Sequence, residues 1–206
     1  MSEMKRLSDR NRAIQEMLTS GEGLKTFYRF VANNPHIALH DACQIVIERP
    51  SASICFSFEE WNAQGRRVTK GRKGIPYYDN DGSKRFVFDV SDTHGDNRYR
   101  RSINPVKKIL DGLDLVNGTE IAGSNRGDYR IMLSGVVNYL GQNEFFTEDE
   151  DRNRLIAEGV TYLLYSTTGF PKDRGITLKG YPYGLSENAD LFREILKTTE
   201  VLQQDV

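Results

Sequence analysis

The sequence predicts an α+β fold: a small antiparallel sheet with a basic hairpin packed against helices, and a helical C-terminal part. Three observations predict it. Apolar residues recur at helical spacing near both ends of the chain. Two β-type runs, Ile75–Tyr78 and Lys84–Val90, flank the turn sequence Asp79-Asn80-Asp81-Gly82. The segment Ser57-Phe58-Glu59-Glu60 has the form of a capping box, with Ser57 as N-cap and Glu60 three residues on.

The elements follow in order. Leu7, Ile14, Met17 and Leu18 suit one helix face, Gly21 and Gly23 interrupt the pattern, and Leu24 to Val31 resumes it. Asn33-Asn34-Pro35 stops it, because proline disfavours helix in the residue before it. A helix is expected from His36 to Glu48, ending before Arg49-Pro50. The capping box starts a short helix that carries Trp61 and ends at Gly65. Val68 begins an extended segment, and Lys70-Gly71-Arg72-Lys73-Gly74 is a turn that leads into the hairpin. Residues 92–130 are turn-rich, with a short helix at Val106 to Leu113, and residues 129–140 fit helix or strand. Thr147-Glu148-Asp149-Glu150 is an acidic helix start with Thr147 as N-cap, favoured by the helix dipole. Arg152 to Thr168 is amphipathic, with Ile156, Val160, Leu163 and Leu164 inward. The last helix spans Ser186 to Gln203, with Ser186 as N-cap.

Composition narrows the class. The 206 residues allow one large domain or two small ones. A mean hydropathy of −0.57 and the absence of a long apolar run exclude a membrane span, and the charged N-terminal MSEMKRLSDRNR has no apolar signal-type segment. The expectation is a cytoplasmic protein without a membrane partner. Two cysteines, Cys43 and Cys55, are too few for a disulfide scaffold or a closed zinc site and are expected as buried free thiols.

The net charge of −1 conceals an asymmetry. Residues 61–108 hold 12 Lys and Arg against 5 Asp and Glu; the remainder holds 16 against 24. The densest part is WNAQGRRVTKGRKG, where Arg66, Arg67, Lys70, Arg72 and Lys73 are interleaved with Gly65, Gly71 and Gly74. Cations displace counterions condensed on phosphates, and glycine lets the backbone approach them. The same run is also compatible with a merely solvated hairpin. Lys84, Arg85, Arg98, Arg100 and Arg101 extend the candidate surface. Arg66 and Arg72 can stack on bases, and strand aromatics beside cations form a stacking platform for single strands. Tyr77, Tyr78 and Phe86 alternate faces, and Tyr77 or Tyr78 is the expected base-stacking residue. Trp61 joins the candidate surface, although packing beneath the hairpin is its more ordinary role.

Trp61, Gly65, Arg66, Val68, Gly71, Lys73, Gly74 and Ile75, followed by FDVSDT at Phe88 to Thr93, form a pattern that resembles the N-terminal single-stranded-DNA-binding domain of ArdC-type antirestriction proteins. It is closer still to LtrC-like versions in conjugative elements. The resemblance covers about residues 24–95, and Arg49-Pro50 stands where the family has Asn-Pro. It implies a nucleic-acid-binding region over residues 1–125 and an anti-defence protein of a mobile element, antirestriction or anti-CRISPR. Single-stranded DNA or RNA, guide RNA included, is the implied partner, with a host CRISPR or restriction nuclease as a second. Arg154 to Gly169 resembles the helix that follows the zinc motif in such proteins, with Glu158 at the position of the metal-serving glutamate. The HExxH motif itself is absent: His36 and His40 are four apart, but Ile37 occupies the glutamate's place. Residues 126–206 are therefore expected as a metallopeptidase-like scaffold without its metal, and no cofactor is expected.

Two alternatives stand beside binding. Asp89, Asp92, His94 and Asp96 suit turn chemistry, or a nuclease that cuts guide RNA. In the latter His94 acts as base, Asp92 and Glu158 assist, and a divalent ion is optional. The acidic stretch Glu144 to Asp151 could instead mimic phosphates toward a host nuclease.

Overall fold

The structure is a computed structural model, and it describes residues 3–79, 81–95, 125–167 and 176–205. Its α+β class is the expected one. The chain forms two compact units: Met1–Met17 with Arg29–Ser102, and Leu18–Tyr28 with Ile103–Val206. Among the described residues, no helix is long and apolar enough to cross a membrane.

Two helices, α1 (Glu3–Thr19) and α2 (Gly21–Asn33), each contribute to both units. In the first unit, Asn34 ends α2. Its amide donates to the Phe30 carbonyl at 2.8 Å and to Ser53 at 2.7 Å, and its Oδ1 accepts from the Cys55 N–H at 2.7 Å. One side chain therefore closes a helix and fixes the start of the sheet. The next helix, α3, runs Leu39–Glu48 rather than from His36. His36 lies outside it, stacked on Phe56 at 4.3 Å with Nε2 2.9 Å from the Cys55 carbonyl.

The sheet contains β1 (Cys55–Phe56), β3 (Ile75–Tyr78) and β4 (Lys84–Asp89), antiparallel in the order β1-β4-β3. Cys55 pairs with Asp89, Ile75 with Val87, Pro76 with Phe86 and Tyr78 with Lys84. Paired residues share a face. Ile75, Val87, Cys55 and Asp89 are buried, which turns Lys84, Phe86 and Phe88 to the opposite side. Gln44 of α3 closes the outer edge of β3: its amide donates to the Tyr78 carbonyl at 2.8 Å and accepts the Tyr78 N–H at 3.0 Å. An edge strand left with unpaired amides would invite foreign pairing.

The capping box is formed as expected and starts α4 (Phe58–Ala63). A second, two-stranded sheet pairs β2 (Arg66–Val68) with β5 (Thr93–Gly95). Here the expectation is corrected. The basic run is not part of the β3–β4 hairpin but forms β2 and the loop after it. Gly65 and Gly95 permit this ladder. A Cβ on Gly95 would lie 2.6 Å from the Gly65 carbonyl oxygen, and both glycines have positive φ, +130° and +78°.

The second unit packs α5 (Asn125–Gln142), α6 (Glu150–Thr167) and α7 (Leu185–Asp205), which form adjacent pairs, with the start of α2. The ambiguous 129–140 segment is helix. Phe27 lies 4.8 Å from Phe192, and Tyr28 stacks on Phe192 at 5.2 Å. Two N-caps are corrected. Asp149, not Thr147, accepts the Arg152 N–H at 2.9 Å, because its carboxylate sits three residues before an orphan amide. Ser186 lies inside α7, where Glu187 accepts the Gly184 N–H at 3.2 Å. The expected helix at 106–113 lies outside the described residues.

Candidate nucleic-acid interface

The basic segment is built on a rigid base. Trp61 is fully buried, its indole N–H donating to the Phe88 carbonyl at 2.8 Å and its ring edge-on to Phe56 at 5.0 Å. Arg66 is also buried. Its guanidinium donates to Thr93 Oγ1 at 2.8 Å, to the Thr93 carbonyl at 3.2 Å and to the Gly95 carbonyl at 3.2 Å, and it lies 5.7 Å from the Trp61 ring. Both residues therefore leave the set of expected surface contacts: a buried ring and a guanidinium committed to strand carbonyls have nothing to offer a ligand.

Above that base the chain turns outward. Arg67, Lys70, Arg72 and Lys73 are exposed. A turn forms between Thr69 and Arg72, whose N–H donates to the Thr69 carbonyl at 3.1 Å, with Gly71 at φ +88° in the position where a type II turn needs positive φ. The loop is fastened from one side by Asp92. The Asp92 carboxylate accepts from Arg49 at 2.5 Å and lies 4.0 Å from the Arg72 guanidinium, and its carbonyl accepts the Thr69 N–H at 2.9 Å. Arg49 also donates to the Lys73 carbonyl at 3.3 Å.

Gly74 carries the loop past the outward face of the sheet. A Cβ there would lie 3.0 Å from the Phe86 Cβ and 3.2 Å from Phe88 Cζ. Phe86 is 48% exposed and Phe58 is 49% exposed. Phe58 lies edge-on to Phe88 at 6.5 Å, and the Lys84 ammonium stands 5.1 Å from the Phe86 ring centre. Two half-open rings thus lie near Phe88, one of them against the Lys84 ammonium. Phe86, not Tyr77 or Tyr78, is the open strand aromatic. Tyr77 and Tyr78 are half-buried, and Tyr78 lies beneath the Arg10 guanidinium at 4.9 Å. Burial pushes the Tyr77 hydroxyl's pKa upward, with Asp41 adding to the effect. Phe58 escaped the sequence reading because N1 of a short helix carries no periodicity. The open face of Phe86 follows from the inward pairing of Ile75 with Val87.

Arg85 is exposed but holds Asp79 at 2.9 Å, which raises its own pKa. Asp79 and the Ser83 N–H hold the Asp81 carboxyl down at about 2. These contacts fold the hairpin loop. Arg98, Arg100, Arg101 and Asp96 lie outside the described residues.

Of the residues considered for catalysis, Asp92 and His94 belong to the first unit and Glu158 to the second. Asp92 is buried and accepts from Arg49 and from the Asp89 N–H at 3.3 Å, which makes it a structural acid. Asp89 is likewise structural. Burial pushes its pKa up, but hydrogen bonds from Ser91 and Ser53 outweigh that and hold it below the usual carboxylate range. His94 is exposed opposite Arg67 in the β2–β5 ladder, its Nδ1 3.2 Å from Thr69 Oγ1. Glu158 belongs to the second unit. It is half-buried on α6 beside a small cleft shared with Tyr28, Lys179 and Tyr181. Burial raises its carboxyl against the lowering pull of Arg154 and Lys179. Among the described residues, no three His, Cys, Asp or Glu side chains are grouped so that they could hold a metal ion.

No family model, no curated protein and no solved structure matches this chain.

Proposed function

We propose that the first unit binds single-stranded nucleic acid, stacking bases on Phe86 and Phe58 while Arg67, Lys70, Lys73 and Lys84 meet the phosphates. The observation that carries this reading is the half-exposed Phe86 ring with the Lys84 ammonium 5.1 Å from it, on a sheet face that Gly74 lets the end of the basic loop approach closely. An exposed aromatic beside cations suits a strand whose bases are unstacked; duplex bases present no free face to it. The role of an anti-defence protein of a mobile element, acting on DNA or guide RNA, rests on the Trp61–Thr93 motif and belongs to the same proposal.

The test is retardation of labelled single-stranded DNA, single-stranded RNA and duplex DNA by the full chain, with and without EDTA. Retardation of single strands with intact products supports the reading. Absence of retardation at low salt contradicts it, and shortened products would replace binding with cleavage.

A further inference from the structure

A groove of about 440 Å³ lies between α1, α3 and the β3–β4 hairpin, lined in part by Asp9, Arg10, Gln44, Glu48, Tyr78 and Lys84. That volume falls within the range of small-molecule sites. Tyr78 pairs with Lys84 across the ladder, and Lys84 is two residues from Phe86 on the same face. At about 3.3 Å per strand residue, the groove begins about 7 Å from the proposed stacking ring.

We infer that this groove is a base-reading subsite for a nucleobase that carries an exocyclic amine. The inference rests on the single-strand reading above. Two layers of a stack are already in place: the Arg10 guanidinium covers the Tyr78 ring at 4.9 Å. A planar guanidinium accepts a base on its open side. The carboxylates of Asp9 and Glu48 give the groove acceptors suited to N–H donors, and Arg10 and Lys84 balance their charge. Gln44 is no reader, because its amide is committed at both ends to the Tyr78 backbone. The Asp9 carboxylate pairs with Arg12 at 3.3 Å, but that pair is exposed and weak, so Asp9 and Glu48 are the acceptors the groove offers to a base edge. Cytosine and adenine offer amines to such an acceptor, whereas thymine and uracil present a carbonyl oxygen there, which a carboxylate repels. Lys84, at the side of the groove toward Phe86, supplies the cation for the phosphate between the two sites.

The test is fluorescence anisotropy of the full chain with labelled dC15 and dT15 at one salt concentration. The wild type is expected to bind dC15 about tenfold more tightly, as one base-edge contact discriminates. Asp9→Asn combined with Glu48→Gln should bring that ratio to about one, because amides offer donors to thymine's carbonyls. Arg10→Ala should weaken both oligonucleotides about fivefold, since stacking is sequence-tolerant. Thermal unfolding monitored by Trp61 fluorescence checks that each variant is folded. Tight binding of both oligonucleotides without preference, or a preference unchanged in the double variant, overturns the groove inference and leaves the stacking surface standing. Failure to bind either oligonucleotide overturns both.

Discussion

The Arg49 guanidinium reaches the Asp92 carboxylate at 2.5 Å and the Lys73 carbonyl at 3.3 Å, so one side chain ties the segment after β4 to the far end of the basic loop. Asp92 is 5% exposed and Arg49 30%. Removing one partner of a buried pair leaves an uncompensated charge. Asp92→Ala is expected to destabilise the first unit by about 2–3 kcal/mol. The chain has one tryptophan, and it lies in this unit, so denaturant unfolding followed by Trp61 fluorescence reads the effect directly. A variant as stable as the wild type would show that the pair holds nothing.

Phe86→Ala should separate binding from folding. The ring is half in water, so its loss should cost under about 1 kcal/mol of stability. Loss of one stacked base should weaken single-strand affinity on the order of tenfold. Tyr77→Phe should leave affinity unchanged. The comparison is made by anisotropy titration beside a thermal melt of each variant.

Asp89 makes stability depend on acid. Its carboxylate accepts from the Ser53 N–H at 2.6 Å, the Ser53 hydroxyl at 3.1 Å, the Ile54 N–H at 3.3 Å and the Ser91 N–H at 2.9 Å. Its folded pKa lies below the unfolded value of about 3.9. The contribution is therefore complete above that value and is lost as pH falls through the folded pKa. Wild type and Asp89→Asn should differ in unfolding midpoint at pH 7 and converge below about pH 4.

The two thiols should be inert in the folded protein. Burial pushes Cys43 and Cys55 each up to about 12, and Asp89 adds to the rise at Cys55. The thiolate is the reactive form. Iodoacetamide at pH 8 should leave both unmodified by mass spectrometry until denaturant is added, and then label both. Labelling of native protein would contradict the burial of β1 and α3.

The sequence made some of this legible and hid the rest, for identifiable reasons. The capping box at Ser57 and Glu60 and the strands on either side of Asp79–Ser83 are local signals, and both formed where expected. The partner of β2 was hidden because it depends on Gly65 meeting Gly95, a contact across 30 positions. Arg66 and Asp92 looked like surface chemistry because a charge reads alike whether it faces water or a partner, and Thr93 and Arg49 decide that only in three dimensions. Phe86 could have been separated from Tyr77 once Ile75 and Val87 were set inward; Tyr78 shares the outward face with Phe86 and is half-covered because Arg10 lies over its ring. Arg10 carried no signal at all, since its approach to Tyr78 joins the first helix to the hairpin.

The central claim is that exposed cations beside Phe86 meet the phosphates of a single strand. Its most direct test is the salt dependence of binding to a labelled single-stranded oligonucleotide, for the wild type and for Lys70→Gln combined with Lys73→Gln. Each phosphate contact contributes about 0.7 to the slope of log affinity against log salt. The account predicts weaker binding and a slope shallower by about 1.4 in the double variant. An unchanged slope, or wild-type binding indifferent to salt, would contradict it.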